Sequence, residues 1–192
     1  MKATIKKPRK CRNRACRAIF TPSRPLQTVC GTPCAFELVL QRKAKQAEQQ
    51  AKVERQQIKA RKEALKSISK IANEVQKVFN NYIRERDKRA GYGCISCGTK
   101  KPDIQYAAGH YRSRGANSWL RFNEDNVFLQ CNKRCNSELG SNSRMMRIGM
   151  IHRIGQERFD AVDNDNTVHK WTREELRAIE AKYKSKLKEL TK

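Results

Sequence analysis

The apolar positions of this chain draw one clear stripe. Leu65, Ile68, Ala72, Val75, Phe79 and Tyr82 recur in steps of three and four, so they line one face of a helix over 65–83. The stretch before it, 41–63, is nearly all polar residues and Ala, and gives a helix with no face wide enough to bury. Such a helix lies in solvent, lies on a polyanion, or frays. Thr32 suits a helix cap, Pro33 suits the first helical position, and no Gly or Pro follows until Gly91. Unbroken, 33–90 would run roughly 85–90 Å at 1.5 Å per residue. The apolar stripe is expected to pack on the domain that follows, with short coiled-coil pairing as the competing use.

Beyond Gly91 the pattern shortens. Residues 92–140 read as loops with two strand candidates, Ile104–Ala108 and Asn126–Gln130. A helical pattern returns over Arg144–Ile154 and stops at Gly155. Thr172 and Glu175 fit a capping box, followed by Leu176, Ile179, Tyr183, Leu187 and Leu190 on one helical face. Asp163, Asp165, Thr167 and Glu174 have calcium-loop spacing without its central Gly, and are read as an ordinary turn. No internal repeat stands out beyond two pairs of cysteine pairs.

Charge narrows the partners. Of 192 residues, 43 are Lys or Arg and 19 Asp or Glu, a formal net charge of +24. Residues 1–34 hold nine basic and no acidic side chains, and 35–90 hold 15 and 7, so +17 sits in the first 90. A polyanionic partner, nucleic acid above all, follows. No run approaches the ~18 apolar residues of a membrane span. The start, MKATIKKPRK, is basic but lacks the apolar run of a secretory signal. Eight cysteines in such a chain read as metal ligands rather than disulfides.

The cysteines fall into two tetrads. Cys11-x4-Cys16 and Cys30-x3-Cys34 flank a proline-stiffened loop, and Cys94-x2-Cys97 pairs with Cys131-x3-Cys135. Two close pairs joined by a loop are what a tetrahedral zinc ion needs. Cys94-Ile-Ser-Cys97-Gly98 reads as a zinc-knuckle turn, Gly98 freeing the backbone. A redox role for Cys94 and Cys97 is the alternative, but no thioredoxin-like strand and helix surrounds them.

Between the second pair of pairs stand Gly109-His110-Tyr111-Arg112, then Leu120-Arg121-Phe122-Asn123-Glu124-Asp125-Asn126, then Cys135-Asn136. This order resembles the HNH, or ββα-metal, nucleases in their zinc-stapled form. The flanking strings C-I-S-C-G-T, A-G-H-Y-R, R-I-G-Q-E (153–157) and W-T-x-E-E (171–175) narrow it further, and the chain resembles the phage NinG/Rap recombination nuclease family over nearly its whole length.

That resemblance implies an α+β fold: a small zinc-stapled ββα-metal (HNH or treble-clef-like) core with an N-terminal zinc knuckle, a long basic helix and C-terminal helices. The expected segments are a knuckle at 1–34, the basic helix at 35–90, the nuclease core at 91–155 and a helical segment at 156–192. The implied activity is metal-dependent hydrolysis of DNA phosphodiesters at branched recombination intermediates, Holliday junctions and D-loops, in the host cytoplasm. His110 becomes the general base, Asn126 its positioning residue, and Asn136 a ligand for a catalytic Mg2+ or Mn2+, beside two structural Zn2+ ions. Arg112, Arg114 and Arg121 are read as phosphate contacts.

The sequence departs from the family pattern in three places. The acidic residue often found just before the His is absent from Tyr106-Ala107-Ala108-Gly109, leaving Asp103, Glu124, Asp125 and Glu138 as candidate carboxylates. Cys131 and Cys135 are three residues apart where two is usual, and Gly140-Ser141-Asn142 stands where Ser-Gly-Asn is often seen. Trp119 and Trp171 are read as packing residues, and His152 and His169 receive no role. Symmetric junction cutting needs two active sites, so a homodimer through the 65–83 helix is an expectation, as are contacts with phage or host recombination proteins. The alternative class is a non-catalytic zinc-dependent DNA- or RNA-binding protein.

Overall fold

A computed structural model describes residues 7–191 of the chain, so the ends of the expected first and last segments lie outside the described residues. It is a mixed α+β structure in two units, 1–65 and 66–192.

In the first unit, β1 (Arg9–Lys10) pairs antiparallel with β2 (Ile19–Phe20), and α1 (Thr32–Ala64) follows. The helix starts at Thr32 itself. Gly31 takes the cap position without a side-chain cap, where Thr32 was expected to cap. Along its 33 residues α1 buries none, as its polar composition requires.

The expected continuous helix is broken. Ser67 caps a new helix, α2 (Ile68–Arg89), its side chain accepting the Lys70 N–H at 3.2 Å. Segment 35–90 is therefore two helices, one in each unit. The apolar stripe starts later than expected: Leu65 and Ile68 are 76% and 41% exposed, while Ile71, Ala72, Val75, Phe79, Tyr82 and Ile83 are buried. They pack against Leu176 and Tyr183 of α5 (Arg173–Leu190) and against Ala108, Phe122 and Val127. This face is consumed within its own unit, packing on the domain that follows rather than forming a bare coiled-coil stripe.

Two strands, β3 (Tyr106–His110) and β4 (Val127–Cys131), form an antiparallel hairpin with His110 opposite Val127. Each lies one or two residues beyond its expected place. Side chains alternate across the sheet. Ala108 and Val127 meet α2 and α5, whereas Phe128 meets a second core of Ile95, Leu120, Met146, Met150, Phe159 and Val162. Met146 and Met150 of that core come from α3 (Ser143–Ile154), and Phe159 and Val162 from α4 (Gln156–Asp163). The hairpin is thus sandwiched between two helical layers. Phe79 anchors the first, edge-on to Tyr183 at 4.8 Å and to Phe122 at 5.8 Å. Its full burial contributes roughly 1.5–3 kcal/mol.

A buried carboxylate ties three of these elements. Asp87, on α2, accepts the Leu129 N–H of β4 at 2.7 Å and the Arg153 guanidinium of α3 at 3.1 Å, with Arg86 Nε at 2.8 Å on its other oxygen. At the far end Thr172 and Glu175 form the expected capping box on α5. No helix among the described residues is long and apolar enough to cross a membrane.

Candidate functional site

Both cysteine tetrads assemble. In each, the four sulfur atoms lie within 4.8 Å of one another. Cys97 and Cys131 sulfurs are 3.5 Å apart, and Cys16–Cys30 and Cys30–Cys34 are each 3.6 Å. A tetrahedral ion with ~2.3 Å bonds to sulfur has ligand edges of about 3.8 Å, so the geometry fits zinc. The chemistry fits as well. Crowded thiols resist joint ionisation: the neighbouring Cys34 and Cys16 thiols help push Cys30 up to about 12, and burial with the Cys97 thiol pushes Cys135 to about 11. A cation that binds thiolates removes that penalty. The local backbone prepares the site. Gly98 sits at φ +72° to close the knuckle, and its N–H donates to the Cys94 carbonyl at 2.8 Å. The Cys131 N–H points at Cys94 Sγ at 3.3 Å.

After Cys131 the chain enters a π-helical turn, Asn132–Glu138. This wider turn accommodates the extra residue of the Cys131-x3-Cys135 spacing. It seats Cys135 in the tetrad and puts Asn136 beside it in a cavity of about 350 Å3. The same cavity is lined by His110, Ser113 and Arg114, by Ala107, Ala108 and Ser141, and by Asn80 and Arg84 of α2. His110, Asn136 and Arg114, expected together from the sequence, share one space. Asn80 and Arg84 were not anticipated, because only the packing of α2 on the hairpin brings them there.

His110 is half-buried, and its Nε2 lies 3.1 Å from the Arg121 carbonyl oxygen. A carbonyl only accepts, so Nε2 carries the ring proton and Nδ1 keeps the lone pair. Burial holds the imidazole down to about 4, with the Arg114 and Arg121 cations adding to the effect and the carbonyls of Arg121 and Ala108 opposing it. The ring is neutral at pH 7. The preceding Gly109 packs tightly on Gln130, whose side chain would have to move for any other residue, since a Cβ there would sit 2.2 Å from Gln130 Oε1.

Asn126 is fully buried. It ties the loop after His110 through hydrogen bonds to the Arg112 backbone and the Leu120 carbonyl. Two of the expected phosphate contacts are occupied elsewhere. Arg112 donates to the Asp163 carbonyl and to Asn166 Oδ1, and Arg121 donates to Gln76 Oε1 and Asn73 Oδ1, both at 2.9 Å. Neither lines the cavity.

The candidate carboxylates are absent from it too. Glu124 is bound by Lys186 at 2.6 Å and by Tyr82 and Tyr183, and Asp125 pairs with Arg158. Glu138 lies in another cavity beside Cys97, and Asp103 is outside the lining. Trp119 and Trp171 stack at 5.9 Å with His169 edge-on, and Trp171 Nε1 donates to the Ser118 carbonyl, a packing role as expected.

Fold and thiol tetrads define a small α+β chain able to hold two structural zinc ions. A family model described as bacteriophage lambda NinG protein matches residues 3–192. Protein ninG of Escherichia phage lambda is 40% identical over 193 residues, covering 95% of this chain and 93% of that protein. Protein ninG of Salmonella phage P22 is 39% identical with the same coverage, and that of Escherichia phage 933W is 47% identical over 111 residues, 58% of this chain and 53% of that protein. The chain belongs to the NinG family of phage proteins. No solved structure matches it.

Proposed function

We propose that this chain is a structure-specific DNA endonuclease that hydrolyses phosphodiester bonds at branched recombination intermediates such as Holliday junctions and D-loops. The observation that supports this most is the meeting of a neutral, backbone-anchored His110 with Asn136, Arg84 and Arg114 in one cavity. Nδ1 of His110 takes a proton from water as the oxygen attacks phosphorus and the bond to the leaving sugar oxygen breaks. Negative charge growing on the phosphate oxygens falls to the guanidinium groups of Arg84 and Arg114. Asn136 orients the phosphate or the water through its amide.

The Mg2+ or Mn2+ implied by the family resemblance finds a poor donor set here. His110 and Asn136 are neutral, and among the described residues no carboxylate lines the cavity. Hard divalent ions prefer oxygen ligands that include carboxylate. The residues do not by themselves fit such an ion.

The same carboxylate-free, arginine-walled lining favours a second reading, a non-catalytic zinc-dependent nucleic-acid binder. One assay separates the two: purified protein with labelled linear, forked and four-way DNA, with magnesium, with manganese and with neither. Cutting confined to branched DNA supports the nuclease. Binding without cutting under every condition selects the second reading.

A further inference from the structure

The loop between β2 and the second cysteine pair turns at Arg24-Pro25-Leu26-Gln27. The Gln27 N–H donates to the Arg24 carbonyl at 3.4 Å, and Leu26 holds the third position at φ +63°. With proline second and a positive φ third, this is the turn position that glycine fills at least cost. A side chain there crowds its own backbone. Leu26 is also 91% exposed, so almost none of its apolar surface is packed within the protein. The residue strains the turn and wets an isobutyl group, and the fold gains nothing from either. A local rule broken without internal gain points to function.

The loop is stiff. Gln27 Oε1 accepts from the Ser23 N–H at 2.8 Å, the Ser23 hydroxyl at 3.1 Å and the Arg24 N–H at 3.4 Å, while its Nε2 donates to the Val29 carbonyl at 3.0 Å. Pro22 is buried at one end, and Cys30 joins the thiol tetrad at the other. Leu26 is therefore a fixed apolar tip on a clamped loop. Its surroundings are cationic: residues 7–31 contain seven Lys and Arg and no Asp or Glu.

We propose that Leu26 is a wedge that inserts between stacked bases of DNA at a branch point. Apolar side chains inserted in this way unstack a base step and bend the duplex. The surrounding cations bring the tip to the phosphate backbone without regard to sequence. Because the loop is already ordered, insertion loses little conformational freedom. Stacking is interrupted at a branch, so the wedge enters there more easily than in a continuous duplex. Preference for branched DNA then needs no base-edge contact. An apolar tip can also dock on a protein, but seven cations without one acid select a polyanion.

This wedge rests on the proposed DNA binding, and the test keeps the two apart. The zinc-loaded full chain is mixed with a four-way junction and with a linear duplex, each carrying 2-aminopurine, at the branch point in the junction. Wild type should raise the junction fluorescence severalfold and the linear signal far less. Leu26→Gly should still shift the junction in a gel, lose the fluorescence rise, and melt no lower than wild type, since glycine relieves the turn. Leu26→Met should keep the rise. A full rise with Leu26→Gly, or a lower melting temperature for it, would overturn the wedge while binding stands. A wild type that shifts neither DNA would overturn the binding reading and the wedge with it.

Discussion

Asn126 grips the backbone of Arg112 from both sides. Its Oδ1 accepts the Arg112 N–H at 2.7 Å, and its Nδ2 donates to the Arg112 carbonyl and the Leu120 carbonyl, each at 3.0 Å. Arg112 lies two residues after His110, and Leu120 directly precedes the residue whose carbonyl anchors the imidazole. Asn126→Ala leaves the Arg112 N–H and carbonyl short of their side-chain partner, each orphaned group costing about 1–3 kcal/mol, while the Leu120 carbonyl keeps the Asn123 N–H at 3.2 Å. Urea unfolding should show a net loss of about 2–4 kcal/mol. At a temperature where the variant remains folded, cleavage should fall more than junction binding. Equal losses would reduce Asn126 to a folding residue.

In the proposed hydrolysis His110 acts in the chemical step and makes at most one ground-state contact. His110→Ala should cut branched DNA roughly 10²–10⁴-fold more slowly, the usual loss for a general base, yet shift it in a gel nearly as well. His152, exposed on α3, is the control, and its alanine variant should keep wild-type activity. Wild-type rates from His110→Ala would end the nuclease proposal.

The depressed basicity of His110 sets a pH signature. Between about 4 and its ordinary value of 6.5, the unfolded chain takes up a proton that the folded chain refuses. Stability therefore rises with pH in that window: it is fully present above 6.5 and lost as pH falls toward 4. Wild type should lose stability relative to His110→Gln between about pH 7 and pH 5 in thermal melts. The base stays unprotonated there, so cleavage should hold its rate across the same range. A rate that drops from pH 6.5 downward would assign His110 an ordinary imidazole.

Each thiol tetrad should carry one zinc ion, about two per chain by elemental analysis of protein purified without chelator. Cys16→Ser should leave about one ion, with the 66–192 unit still folded by amide NMR dispersion. Cys97→Ser should unfold that unit, because its tetrad joins the knuckle, β4 and the π-turn. Zinc-free wild type that melts like the untreated protein would refute both.

The basic first half should set the salt dependence. Log affinity for DNA should fall linearly with log salt, by roughly 0.9 per neutralised phosphate. Deleting residues 1–63 should weaken binding and flatten the slope, and fluorescence anisotropy across a salt series reads both. An unchanged slope would make the arm a solvated face.

Much of this was readable where the signal was local. The two tetrads, the Thr172–Glu175 box and the end of α3 before Gly155 follow from spacing within one turn or one loop. The break after Ala64 was not readable, because neither Gly nor Pro makes it and Ser67 starts the new helix with its own side chain. The strands lay one or two residues off, since the alternation that fixes register depends on two cores meeting opposite faces. The place of Arg84 in the cavity and the partners of Arg112 were unreadable for one reason. Their surroundings are set by α2 and by Asp163 and Asn166, distant in sequence, and an arginine's spacing says nothing of which partner it reaches.

The Asp87 carboxylate couples α2, β4 and α3 to one another. Pulling away α2, β4 or α3 alone would strand a buried charge or an amide that has no water to turn to. The three elements therefore open together. Exchange at the Leu129 amide should report the joint opening of α2, β4 and α3 rather than the fraying of one edge.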